Sequence, residues 1–127
     1  MPVKFDWDNT DQTVMRFVTT DPWNWNDFHK AMRVATFQLD MVQHAVERVI
    51  DLRQSAKLPA GALGHIRSLG SAPHPNARSR LLIVGLDESV AGPLGGADGI
   101  YQRGDRLLRF VDSEEAAQDV LVEWLKE

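Results

Sequence analysis

Arg80 to Leu86, RLLIVGL, is apolar at nearly every position, and no other stretch narrows the choice of fold so far. A strand with one face in water alternates apolar and polar residues, whereas an unbroken apolar run belongs to a strand covered on both faces or seated centrally in a sheet. Val49, Ile50 and Leu52 make a second short strand. It empties through a loop into a helical pattern from Ala60 to Leu69, whose first turn holds the conformationally permissive Gly61. Strand, loop, helix and strand in that order describe a parallel crossover, so an α/β sheet is the expected frame.

The remaining segments fill in the sheet. Val3 to Trp7 and Thr13 to Val18 are strand candidates separated by DNTDQ, whose Asp and Asn residues suit a tight turn, and they predict a hairpin. Asn24 caps the best-marked helix, in which Phe28, Met32, Ala35, Leu39 and Val42 recur at three- and four-residue intervals. SAPHPNARS is a loop by composition, with Pro73 and Pro75 excluding helix around His74. DESVAGPLGGADGIYQRGD holds five glycines and a proline, which predicts a mobile segment with a helix of one or two turns at most. RLLRFV is a last strand, and Asp112 or Ser113 caps a final helix with Ala116, Val120, Leu121, Trp124 and Leu125 facing inward. The sum is one α/β domain over 1–127: a mixed sheet of about five strands with an N-terminal hairpin, βαβ crossovers and helices mainly on one face.

Composition excludes several classes of function. The chain has no cysteine, which removes disulfides, thiolate nucleophiles and cysteine-ligated metal centres together. A net charge of −4 with dispersed arginines offers no global attraction to nucleic acid or to an anionic membrane. No apolar run approaches the roughly 18 residues of a membrane span, and MPVKFDWDNTD lacks the basic start and apolar middle of a secretory signal, so a cytoplasmic protein is expected.

RVIDLRQSAKLPAGALGHIRSL, RLLIVG and RFVDSEEAAQDVL, taken in this order, resemble the STAS-like superfamily, the fold of anti-sigma factor antagonists (SpoIIAA-like domains) and of the cytoplasmic tails of sulfate transporters. In that fold a strand written V-I-D-L leads to a helix opening with D-S-S-G-L-G; here the corresponding opening is Pro59, Ala60, Gly61, Ala62, Leu63, Gly64. The family's serine is a phosphorylation switch at the helix mouth, where backbone N–H groups and the helix dipole favour a phosphate. Ala60 or Gly61 stands in its place, so that switch does not carry over, and Ser55 lies several residues too early. The resemblance implies a non-catalytic regulatory domain that binds another, unidentified protein. Its expected surface is the loop and helix entry from Leu58 to His65, with the loops Ser71 to Ser79 and Gly85 to Ser89 beside it. Arg53, Ser55, Leu58, Ala60, Gly61, His65 and His74 are the candidate partner-binding residues.

Candidate chemistry is sparse. Helical metal pairs sit at i, i+3 or i+4, but His29, His44, His65 and His74 are 15, 21 and 9 positions apart, so no local pair exists and neither a metal nor a cofactor is expected. Neither Ser55 nor Ser89 lies in a G-x-S-x-G elbow. Glycines 92, 95, 96 and 99 fit neither the P-loop nor the dinucleotide fingerprint. Asp51, at the carboxyl end of a parallel strand, stands where open α/β sheets gather ligands. It supports the alternative of a small-ligand binder or weak hydrolase using Asp51, His65 and Arg53. Trp23 and Trp25 read as closing the edge of the core; exposure of one of the tryptophans beside Tyr101 or Phe110 would instead favour a docking surface or a homodimer seam.

Overall fold

The computed structural model describes residues 2–72 and 74–127, so Met1 and the part assigned to Pro73 in the loop around His74 lie outside the described residues. The chain runs β1 (Val3–Trp7), β2 (Val14–Thr19), α1 (Trp25–Leu39), β3 (Val46–Asp51), α2 (Ala62–Arg67), β4 (Ala77–Val84), α3 (Glu88–Gly95), β5 (Ile100–Arg103), β6 (Arg106–Val111) and α4 (Glu114–Leu125). One mixed six-stranded sheet has the order β1-β2-β3-β4-β6-β5. β1 and β2 form the antiparallel hairpin, β2-β3, β3-β4 and β4-β6 are parallel, and β5 returns antiparallel to β6.

The unbroken apolar run resolves into two faces. Leu81 and Ile83 join Met15, Phe17, Ile50 and Leu108 on a front face covered by Phe28, Ala31, Ala35 and Leu39 of α1 and by Ile66 of α2. Leu82 and Val84 join Val14 and Val49 on the back face, under Ala117 and Leu121 of α4. α3 adds Val90, Ala91 and Leu94 to the front layer, so three helices lie in front and one behind. Both sides of β4 are therefore dry, which is why its sequence does not alternate.

Local signals explain the ends of the elements. Asn24 and Asp27 form a reciprocal capping box at the start of α1, and Ser113 accepts from the Ala116 amide at the start of α4. α1 stops at Leu39, so Val42, read as helical, is buried just beyond its end. In α4 the inward position is Ala117 rather than Ala116, and Leu125 is exposed. α4 is held at both ends by charge: Arg16 reaches Glu114 at 2.7 Å, while Arg80 lies 4.5 Å over the Trp124 ring and bonds the buried Glu47 carboxylate.

β5 adds a sixth strand to the expected sheet of about five, and α3 is the short helix expected of the glycine-rich segment. The side chain of Asp87 caps α3, which runs for eight residues, and Gly104 turns the chain between β5 and β6. A Cβ on Gly95 would lie 2.7 Å from the Phe110 ring and one on Gly99 2.9 Å from the Phe110 carbonyl. These glycines mark close packing, which composition alone cannot distinguish from looseness.

Gly85 carries a similar constraint where β4 ends. Its φ is +79°, and a Cβ there would fall 2.7 Å from Arg53 Cγ. Gly85→Ala is expected to cost about 1–3 kcal/mol, read as a lower urea midpoint with an unchanged denaturant slope.

Candidate functional site

β3 and β4 finish side by side: Asp51 pairs with Val84, and the Leu52 amide donates to the Val84 carbonyl at 2.9 Å. Residues 52–61 and 85–87 consequently leave the sheet at the same end. The Ala56 amide is tied to Asp21 at 2.7 Å, and the Ser55 hydroxyl lies 2.5 Å from that of the fully buried Thr19.

Asp51 points to the back face and is 3% exposed. Its Oδ1 accepts from the Arg53 amide at 3.1 Å and from Arg53 Nε at 2.9 Å; its Oδ2 accepts from Arg53 NH2 at 2.8 Å and Arg16 NH1 at 3.1 Å. Both arginines continue to Glu114, and Arg16 also to Asp8. Burial pushes the Asp51 carboxyl up, but the hydrogen bonds and charge of Arg53, with the charge of Arg16, outweigh it and leave the group below the usual carboxylate range. Its lone pairs are directed at two guanidinium groups and the Arg53 amide.

His65 belongs to the opposite face. Its ring stacks on Trp25 at 4.7 Å and 10°, and its Nδ1 lies 3.0 Å from His29 Nε2. The structure therefore does not bring Asp51 and His65 together, because successive residues at the end of β3 point to opposite sides of the sheet. Arg53 stays with Asp51, on the side away from His65.

The two histidines that do meet are 36 positions apart, beyond the reach of any local spacing rule. Burial, then the charges of His65 and Arg33, pull the His29 pKa below its ordinary 6.5. With the folded value below the unfolded one, stability is full above about 6.5 and falls as the unfolded chain takes up the proton first. The His29 ring is expected to titrate below 6.5 in an NMR pH series, and the thermal midpoint to fall on acidification through that window less steeply in His29→Gln.

Leu58 and Pro59 are half-buried at the rim, Ala60 and Leu63 exposed, and the Trp25 indole N–H donates to the Pro59 carbonyl at 3.3 Å. Gly61 precedes α2 with φ +84° and caps it without any side chain. Between this segment and the start of α3 lies an open groove of about 410 Å³, lined by Lys57, Leu58, Leu63, Asp87 and Val90 among others.

His74 is separated from these residues. It lies in the loop entering β4, at the other end of the parallel strands, where its Nε2 is 2.6 Å from Asp40 Oδ1 just past α1. The expectation that the loop Ser71 to Ser79 lies beside the rim is corrected, because a connection from helix to strand emerges opposite the connections from strand to helix. Trp23 and Trp25 are buried against Phe28, so neither forms an exposed patch with Tyr101 or Phe110.

Arg48 is a residue that the pattern of the sequence does not announce. In VERVID a charge between valines reads as an outward position, yet its side chain is buried under α1. No group of three or more His, Asp or Glu side chains able to hold a metal occurs among the described residues, and no helix among them is long and apolar enough to cross a membrane. No family model, curated protein or solved structure matches the chain.

Proposed function

We propose that the chain is a non-catalytic, protein-binding regulatory module of the STAS-like kind, working in the cytoplasm through the rim formed by Leu58, Ala60, Gly61, Leu63 and the loop before them. The observation that carries this reading is the occupation of Asp51. The buried Asp51 carboxylate has its Oδ1 bonded to Arg53 and its Oδ2 to Arg53 and Arg16, while the rim at the same end of the strands presents apolar Leu58 and Leu63 with Lys57. An apolar centre bordered by polar groups is the usual anatomy of a protein contact. The hairpin followed by parallel crossovers is in keeping with the same reading, and Ala60–Gly61 at the helix mouth leaves it without a hydroxyl to phosphorylate.

Affinity capture from the source cells with wild type, Ala60→Asp and Leu63→Glu tests it. Both changes are on exposed side chains and are expected to leave the thermal midpoint nearly unchanged while weakening one specific partner at least about tenfold. An identical set of captured proteins for all three, each natively folded, would remove the rim from consideration.

A further inference from the structure

Three charged residues are buried among the described residues, and they are not treated alike. Glu47 is paired with Arg80, and Asp51 with Arg16 and Arg53. Arg48, 3% exposed, has no carboxylate partner among the described residues. Its NH2 donates to the carbonyls of Ser71 at 3.1 Å and Arg78 at 3.0 Å, and its Nε is buried with no partner among them. Glu47 is its neighbour in β3 but points to the other face of the sheet. Burial lowers the Arg48 pKa to about 10, against the opposing charge of Glu47. A guanidinium held this way is costly, since buried charges are ordinarily paired.

The same side chain lines a large groove. A groove of about 820 Å³ lies between α1 and the segment that follows α2, walled by Met32, Val34, Phe37 and Leu69. Phe37 is 68% exposed and Val34 42%. The ionisable groups on its walls are Arg48, Lys30, Arg33 and His29; none is a carboxylate, although the chain as a whole carries a net charge of −4. The groove therefore combines an apolar trough with a cationic lining and, beneath it, a guanidinium with an unused donor. Its volume falls in the range of small-molecule sites.

We propose that this groove binds an amphipathic carboxylate, with its head on the Arg48 guanidinium and its apolar body along Met32, Phe37 and Leu69. The head supplies the charge-assisted hydrogen bonds that Arg48 lacks, and the body covers the exposed Phe37 ring. The site is separate from the rim proposed for protein binding, so either reading stands without the other.

Octanoate, 1-octanol and acetate, titrated into the 15N-labelled protein, separate the contributions of head and body. Octanoate is expected to move, saturably, the amides of Arg33, Phe37 and Ser71 together with the Arg48 Nε–Hε signal. 1-Octanol should bind at least about tenfold more weakly and acetate not measurably, the tenfold reflecting a hydrogen bond to a charged group. In Arg48→Met, which keeps the volume and removes the charge, octanoate and octanol should become equivalent. Should that variant not fold, the comparison of octanoate with octanol on the wild type decides alone. Equal binding of the two by the wild type, or octanoate shifts scattered away from the groove, would overturn the proposal. So would groove resonances that move on diluting the protein but not on adding octanoate, which would put a second copy of the chain there.

Discussion

Phe28→Ala is expected to lower the unfolding free energy by about 3–5 kcal/mol. The ring is 0% exposed and sits among Trp23, Trp25 and His29, with centroids at 6.1, 5.6 and 5.7 Å. Truncation removes the transfer energy of a phenyl group, leaves a cavity the sheet cannot close, and takes away edge-to-face contacts worth a further part of the total. Urea unfolding followed by tryptophan fluorescence reads the result directly, since Trp23 and Trp25 line the same pocket. A loss under about 1 kcal/mol would mean that α1 does not lie on the sheet as described.

Asp51→Ala should cost about 3 kcal/mol, the lower end of the range for breaking a buried ion pair. Arg16 keeps Asp8 and Glu114, and Arg53 is 41% exposed, so water and the remaining carboxylates take up part of the lost charge. The change also alters the acid limb of the stability curve. The folded pKa of Asp51 lies below its ordinary 3.8, so its contribution is full above that value and is lost as pH falls through the lower folded one. Wild type should therefore lose stability below about pH 4 more steeply than Asp51→Ala, which thermal unfolding at pH 2.5 to 5 measures. A variant as stable as wild type would reopen Asp51 as a group held for chemistry, because functional carboxylates are often kept at the expense of stability.

Much of the architecture was legible because it follows from local rules. The Asn24 cap and the spacing of Phe28, Ala35 and Leu39 define α1, and the continuous apolar run through Leu81–Val84 announces a strand with helices on both sides. What escaped depends on contacts between distant positions. β5 is four residues long and carries only Ile100 and Tyr101 as strand formers, so it exists through its pairing with β6. Gly95 and Gly99 read as slack because Phe110, whose ring and carbonyl they accommodate, lies well along the chain. In the candidate site, the placement of Leu58 to His65 at the carboxyl end of the parallel strands followed from the order strand, loop, helix. The meeting of His29 with His65, the separation of His74 and the burial of Arg48 did not, since each is set by how α1 and α2 lie across the sheet.

α4 covers Val14, Val49, Leu82 and Val84 alone, and it follows β6 in the chain. Any folding intermediate in which the strands have paired but α4 has not yet docked carries a bare greasy strip on its reverse side. Aggregation on refolding should accordingly rise in Leu121→Asn, which weakens the docking of α4.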